Sequence, residues 1–253
     1  MKKYDAHLHI GDYIRCKKIL SESEYKEKYK LYKEINLRLV EYQCNYLKEL
    51  DNFFAIPIIF KEINIDLENI YVSCFCQQFG KGIPVSIITN NFNVDTKFQI
   101  WKEHFLIHDY NLWEERKKIY QYINDIRGYL IIHCKDKIRL EYLKLLSESF
   151  PQINFIVAHL GRDVNENKDF IRLILQTFNT NNFYFDLSTI KNIDNIILAS
   201  TIVDKKHILY GSDYPYISLE EIHALKRKIF DLDNADYILE KNFDTLARKI
   251  VKN

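Results

Sequence analysis

Short apolar runs rich in Ile, Val, Phe and Tyr alternate along the chain with longer stretches that mix apolar and charged residues. The runs predict strands over residues 3–9, 53–60, 84–89, 100–107, 128–133, 154–159, 182–186 and 207–211. Such short, mostly apolar strands are typical of parallel sheets covered on both faces. The mixed stretches predict helices over 22–50, 67–79, 112–126, 138–150, 167–178, 193–203 and 219–230, with a last helix over 235–249. Strands alternating with helices along a whole chain argue for βα units and a parallel sheet. Eight strands in a chain of about 250 residues is the count of an α/β (β/α)8 TIM barrel. Residues 90–97 stand where a helix belongs but are few and polar, so the expectation is a barrel with one degenerate helix. A doubly wound open sheet is the alternative.

Composition narrows the function classes. The chain has 253 residues with a formal net charge of +1, so no long-range field favours nucleic acid or another polyanion. It is 47% hydrophobic and 14% aromatic, the opposite of a disordered composition. Glycine (6) and proline (4) are scarce, so turns are read from Asn, Asp, Lys and Ser as well. No linker or internal repeat divides residues 1–253, which read as a single domain. Five cysteines with only one close pair, Cys74 and Cys76, give neither a disulfide framework nor a zinc ribbon. No apolar stretch suits a signal peptide or a membrane span, which makes the cytoplasm the expected location.

The candidate chemistry lies at strand ends. The first strand closes with Asp5-Ala6-His7-Leu8-His9, and alternation predicts that Asp5, His7 and His9 share a face. Two imidazoles at i and i+2 can bind one divalent cation such as zinc, at about 2.0–2.1 Å. Alone, an H-x-H is also what a polar strand end looks like. However, the fifth strand ends in His133, the sixth runs into His159-Leu160-Gly161, and the last into Gly211-Ser212-Asp213-Tyr214-Pro215. Packing gives no reason for imidazoles and a carboxylate to recur where strands give way to loops. Barrel enzymes gather their catalytic groups at that end.

This set, in this order, resembles the amidohydrolase superfamily, in its amidohydrolase-related branch of metal-dependent TIM-barrel hydrolases and decarboxylases. The segment 238–248, with Asn242 near its start, resembles the family's final helix. The resemblance implies that His7, His9, His133 and Asp213 hold the metal. It implies that His159 contacts substrate and reacting water or a second metal, and that Asp213 doubles as the catalytic base. Lys102, in Ile100-Trp101-Lys102-Glu103-His104, resembles the family's G-x-K-x-H stretch without its small residues. A bridging role, a contact to an anionic substrate and a solvated lysine are the three readings of Lys102, and a mononuclear site is expected. Zinc is the first expectation for the metal, with manganese, iron and cobalt compatible with the same ligand types.

The resemblance implies a metal-dependent hydrolase acting on an ester, lactone or amide of a small molecule, with Asp213 activating the water and His159 helping to stabilise the oxyanion. The alternative is a non-oxidative decarboxylase of an aromatic or unsaturated carboxylic acid. A barrel kept only for binding is the third reading, and the intact ligand set argues against it. Arg162 and Tyr214 are candidate substrate contacts. Arg162 with Asp163 also reads as a surface ion pair, and Tyr214 and Tyr216 either line the pocket or pack. His108 and Asp109 are open in the same way, Asp12 is a candidate helix cap, and Cys134 should point away from the metal. The 23–51 segment carries a tyrosine-rich face (Tyr25, Tyr29, Tyr32, Ile35, Leu39, Tyr42, Tyr46, Leu50) that reads as an extended first barrel helix, with a lid or dimer contact as the other possibility. The expected partner is a small molecule, without nucleic acid or membrane, and a homodimer is the commonest oligomer.

Overall fold

Eight parallel strands pair in sequence order: β1 (Tyr4–Ile10), β2 (Asn52–Pro57), β3 (Ile83–Ile87), β4 (Ile100–Glu103), β5 (Tyr129–His133), β6 (Asn154–Ala158), β7 (Phe183–Asp186) and β8 (Ile208–Leu209). The computed structural model describes residues 2–11, 21–24, 26, 28, 30, 33–35, 46–60, 63–89, 98–162 and 165–252. Strictly sequential order is that of a (β/α)8 TIM barrel and not of a doubly wound open sheet, where the order reverses. No ladder joins β8 to β1, so one seam lacks strand pairing. Instead the segment after β8 bridges it: Ala6 N–H donates to the Tyr210 carbonyl (2.9 Å), Asp213 N–H to that of His7 (2.7 Å), and His9 N–H to that of Tyr214 (2.9 Å).

Between the strands lie α1 (Tyr46–Glu49), α2 (Ile65–Phe79), α3 (Lys117–Asp125), α4 (Lys137–Ser149), α5 (Lys168–Thr177), α6 (Ile193–Ile202) and α7 (Leu219–Phe230), with α8 (Asn242–Lys252) closing the chain. Polar side chains start them. Asn64, Asp136, Asn167 and Asn192 each accept from a first-turn N–H, and Ser218 with Glu221 forms a capping box ahead of α7. Of the expected 22–50 helix, residues 22–24, 26, 28, 30, 33–35 and 46–49 are helical, with Ile35, Tyr46 and Leu50 buried. Tyr25, Tyr29, Tyr32, Leu39 and Tyr42 of its predicted face lie outside the described residues, as do Asp12, residues 90–97 and Asp163. Among the described residues, no helix is long and apolar enough to cross a membrane.

Alternation along the strands sorts the core into two sides. Phe54, Ile56, Val85, Ile87, Ile100, Ile131, Ile156 and Leu209 fill the barrel interior. Their neighbours Trp101, Leu130, Ile132, Phe155, Val157 and Phe185 face the helices. α8 closes the end of the barrel away from the site, its Phe243 ring stacking on Tyr4 at 4.8 Å. Asn242 anchors it, its amide donating to the Lys205 (2.6 Å) and Ile208 (2.7 Å) carbonyls.

One irregularity corrects an expectation. β1 pairs Asp5 with Phe53 but Leu8 with Ala55, so one extra residue bulges between them. Phe53 and Ala55 both face the helices, which places Asp5 and Leu8 on that outer side, whereas His9 pairs with the inward Ile56. Asp5 therefore does not share a face with His7 and His9. Its carboxylate instead accepts from the His7 and Ser212 N–H groups (3.0 Å each) and fixes the bulge from behind.

Gly211 lets the seam close. A Cβ there would sit 2.7 Å from the His7 Cβ, and His7 has no room to retreat because it is fully buried. Gly211→Ala is expected to destabilise the fold by about 1–3 kcal/mol, the usual penalty for overpacking. Chemical denaturation checks this; an unchanged midpoint would mean the seam is not tightly packed.

Candidate metal centre

The described side chains that carry chemistry gather where the strands end. His7 and His9 come from β1, Lys102 from β4, His133 from β5 and Asp186 from β7; His104, His159 and Asp213 follow β4, β6 and β8. Alternation alone would send His159 outward, since Ala158 before it faces the interior. Left-handed backbone at His159 (φ 56°) and again at Asp213 (φ 58°) turns these two side chains into the mouth. Such φ values cost energy in non-glycine residues and persist where their surroundings enforce them.

Hydrogen bonds fix the tautomers. His9 Nδ1 donates to the Pro57 carbonyl (2.7 Å), leaving the Nε2 lone pair 3.3 Å from Asp213 Oδ1. His7 Nδ1 donates to Asp186 Oδ2 (2.8 Å), leaving its Nε2 lone pair 3.4 Å from the same Asp213 oxygen. Two imidazole nitrogens and one carboxylate oxygen thus converge within 4.8 Å of one another, a donor set fit for a divalent cation. Asp186 in turn accepts from the His159 (3.2 Å) and Ser188 (2.9 Å) N–H groups and from the Ser188 hydroxyl. This is the carboxylate–histidine support that orients metal-binding imidazoles.

His133 stands slightly apart from the converging set. Its Nε2 meets His159 Nε2 at 3.0 Å, and its buried Nδ1 has no hydrogen-bond partner among the described residues. Because His159 Nδ1 donates to the Ser188 carbonyl, His133 Nε2 is the donor in this contact, and it offers a lone pair only when its proton moves to the unpartnered Nδ1. His159 Nδ1 donates to the Ser188 carbonyl (3.1 Å) and approaches its hydroxyl (2.8 Å), so its own Nε2 faces the cluster. Lys102 is buried, its Nζ donating to His7 Nε2 at 2.7 Å. One lone pair cannot serve an ammonium and a metal together, so Lys102 and a cation compete for this nitrogen.

Burial keeps the imidazoles of His9, His133 and His159 neutral. Burial, reinforced by the Lys102 charge, pushes His9 down to about 4, and burial takes His159 to about 4 despite the pull of Asp213 and Asp186. Burial, with His104 and Lys102 close by, holds His133 well below the usual imidazole range. Burial would raise Asp213, but the imidazoles of His9, His159 and His7 packed around it hold it well below the usual carboxylate range. Burial pushes the Lys102 ammonium down to about 8, against the opposing pull of Asp213 and Asp186.

A cavity of about 280 Å³ opens over this cluster. Beyond the cluster, its walls include Ile59, Phe105, Leu106, Lys135, Arg162 and Tyr216. Arg162 Nε donates to the Thr189 hydroxyl (2.8 Å), which fixes the side chain at the rim. The structure does not bring Tyr214 to the mouth: it is fully buried on the outer side with Leu8, Ile10, Phe53 and Ile222, while Tyr216 lines the cavity. His108 is buried as a structural pin, its Nε2 bonded to the Ile88 carbonyl (2.9 Å), and Asp109 is exposed. Cys134 packs on the helix side, as alternation predicts. Sequence reasoning passed over Asp186 and His104. The first had a signal, since Phe183-Tyr184-Phe185-Asp186 also ends a strand in a carboxylate.

Comparison with known proteins agrees with this architecture. Residues 98–251 match the family model described as Amidohydrolase, and the chain belongs to that family, in the branch of metal-dependent TIM-barrel hydrolases and decarboxylases. No curated protein matches it. Among solved structures, 2,6-dihydroxybenzoate decarboxylase from Rhizobium is similar at a TM-score of 0.70 and 12% identity, over 100% of this chain and 99% of that one. A zinc-bound amidohydrolase from Burkholderia multivorans gives 0.71 and 10%, over 99% of each chain. A 5-carboxyvanillate decarboxylase from Novosphingobium aromaticivorans, complexed with manganese and 4-hydroxy-3-methoxy-5-nitrobenzoic acid, gives 0.66 and 12%, over 100% and 96%. At these identities the likeness is one of fold.

Asp186→Asn keeps the shape of the side chain but removes the charge that orients His7. It is expected to weaken divalent-metal binding about 10–100-fold, as loss of such supporting partners typically does. Competition against a chelating indicator measures it, and unchanged affinity would show that Asp186 does not support the site.

Proposed function

We propose that the protein is a metal-dependent, non-oxidative decarboxylase of an aromatic or unsaturated carboxylic acid. The observation that carries the reading is the make-up of the mouth: Lys102, Lys135 and Arg162 face a single carboxylate, Asp213, between the apolar and aromatic walls of Ile59, Phe105, Leu106 and Tyr216. Such a pocket favours a flat, unsaturated anion over a neutral ester or amide. The decarboxylases among the solved structures of similar fold support the same direction.

His7, His9 and Asp213 would hold the cation, with His133 completing the set and zinc or manganese as the species. When bound, the metal supplies Lewis acidity to a substrate oxygen. Arg162 binds and orients the carboxylate, and Phe105 and Tyr216 confine the ring and exclude water. As the C–C bond breaks, its electron pair stays on the ring carbon, carbon dioxide leaves, and that carbon takes a proton. Lys102, pushed down to about 8, carries a proton at neutral pH that it can give up, and His159 and Asp213 are placed to pass it to the carbon.

Hydrolysis of an ester, lactone or amide is the second reading. It is favoured by Asp213, which stays ionised at neutral pH and can therefore take a proton from an attacking water. The test incubates the protein, supplied with Zn²⁺ or Mn²⁺, with hydroxybenzoic acids and with aryl esters and lactones. The expected result is carbon dioxide release from an acid, reduced about 10²–10⁴-fold by His159→Gln, the usual weight of a proton-transferring group. Hydrolysis of a neutral ester or lactone, with no carbon dioxide from any acid, would overturn the decarboxylase in favour of the hydrolase.

A further inference from the structure

The positive charge in the mouth exceeds what one substrate carboxylate would balance, and part of it stands away from the histidine cluster. Lys102 stands within the cluster beside His7, and Arg162 is tied to Thr189 at the rim. Lys135 is different. It lines the same cavity but forms no ion pair among the described residues, and its Nζ rests 3.6 Å from the centroid of the Phe105 ring. The Arg139 guanidinium also approaches that ring, at 5.4 Å.

Phe105 is the spacer between this charge and the cluster. Its ring meets His133 edge-on at 5.5 Å between centroids and stacks on His104 at 4.5 Å. Lys135 and the two imidazoles thus all pack on this one ring. The mouth also continues past Phe105, which it shares, with Leu106, with a second cavity of about 420 Å³ lined by Ile138 and Arg139 as well. An ammonium over an aromatic face is held more weakly than one donating to an anion, so an incoming carboxylate or phenolate can take Lys135 from Phe105.

We propose that Lys135 binds a second anionic oxygen group on the substrate, so that the mouth selects aromatic acids carrying two negative groups about one ring apart. The inference rests on the reading of the mouth as an aromatic-acid site, and it names the class of acid. The first anion sits at the metal-ligand cluster with Arg162. The second reaches Lys135 across the face or edge of Phe105. The ring between them lies against Phe105, Leu106 and Tyr216.

Calorimetric titration of the Mn²⁺-loaded protein with benzoate and with isophthalate, benzene-1,3-dicarboxylate, tests this without relying on turnover. Isophthalate is expected to bind about tenfold tighter than benzoate, the worth of one charge-assisted contact. Lys135→Met should abolish that preference while leaving manganese content unchanged, and Lys135→Arg should retain it. Equal binding of the two acids, or a preference that survives Lys135→Met, overturns the inference and leaves the aromatic-acid reading standing. If neither acid binds the manganese-loaded protein, the aromatic-acid reading falls, and the role of Lys135 falls with it.

Discussion

The site depends on how the last strand meets the first. β8 is only two residues long and never forms a ladder with β1. The chain beyond it instead runs against β1, joined by backbone hydrogen bonds at Ala6, His7 and His9. The bond from Asp213 N–H to the His7 carbonyl, at 2.7 Å, sets the aspartate beside both histidines although the residues are separated by most of the sequence. Gly211, pressed against His7, and the Asp5 carboxylate behind the bulge hold the same junction from two further sides. A shift at this seam would move Asp213 away from the two nitrogens with which it shares a candidate ligand set.

The rest of the barrel supports a cluster that is costly to bury. Several imidazoles, a lysine and two carboxylates lie together with little access to water. The arrangement is tolerated because the outer nitrogens of the histidines mostly find partners: Pro57 for His9, Asp186 for His7 and Ser188 for His159. β4 has a comparable support on its other face. Glu103, fully buried, accepts from the Tyr142 hydroxyl at 2.9 Å and from the Arg116 guanidinium at 2.9 Å, and Arg116 also donates to Tyr120. The wall behind Lys102 is therefore braced by a satisfied buried network, the condition under which a buried ion pair is tolerated.

Much of this was legible in the sequence because strand periodicity is simple. The apolar runs located all eight strands, and the strand-end rule singled out His7, His9, His133, His159 and Asp213, which the fold brings together. What failed were departures from regular geometry. Plain alternation put Asp5 beside His7, and the bulge in β1 reversed it. Tyr214 and Tyr216 could not be told apart, since the left-handed turn at Asp213 resets which of them faces the mouth. Asp186 was missed because its importance lies in a partner 179 positions away rather than in its neighbours. The charge surplus at Lys135 was out of reach for the same reason, as Phe105 and Lys135 meet only through the fold.

The central claim, that His7, His9 and Asp213 hold a divalent cation, is tested most directly by the metal content of the protein purified without chelator. The account predicts close to one zinc or manganese per chain, absent from a His7→Ala, Asp213→Ala double variant that still folds. A protein that binds no divalent metal, even after incubation with Zn²⁺ or Mn²⁺, would contradict it.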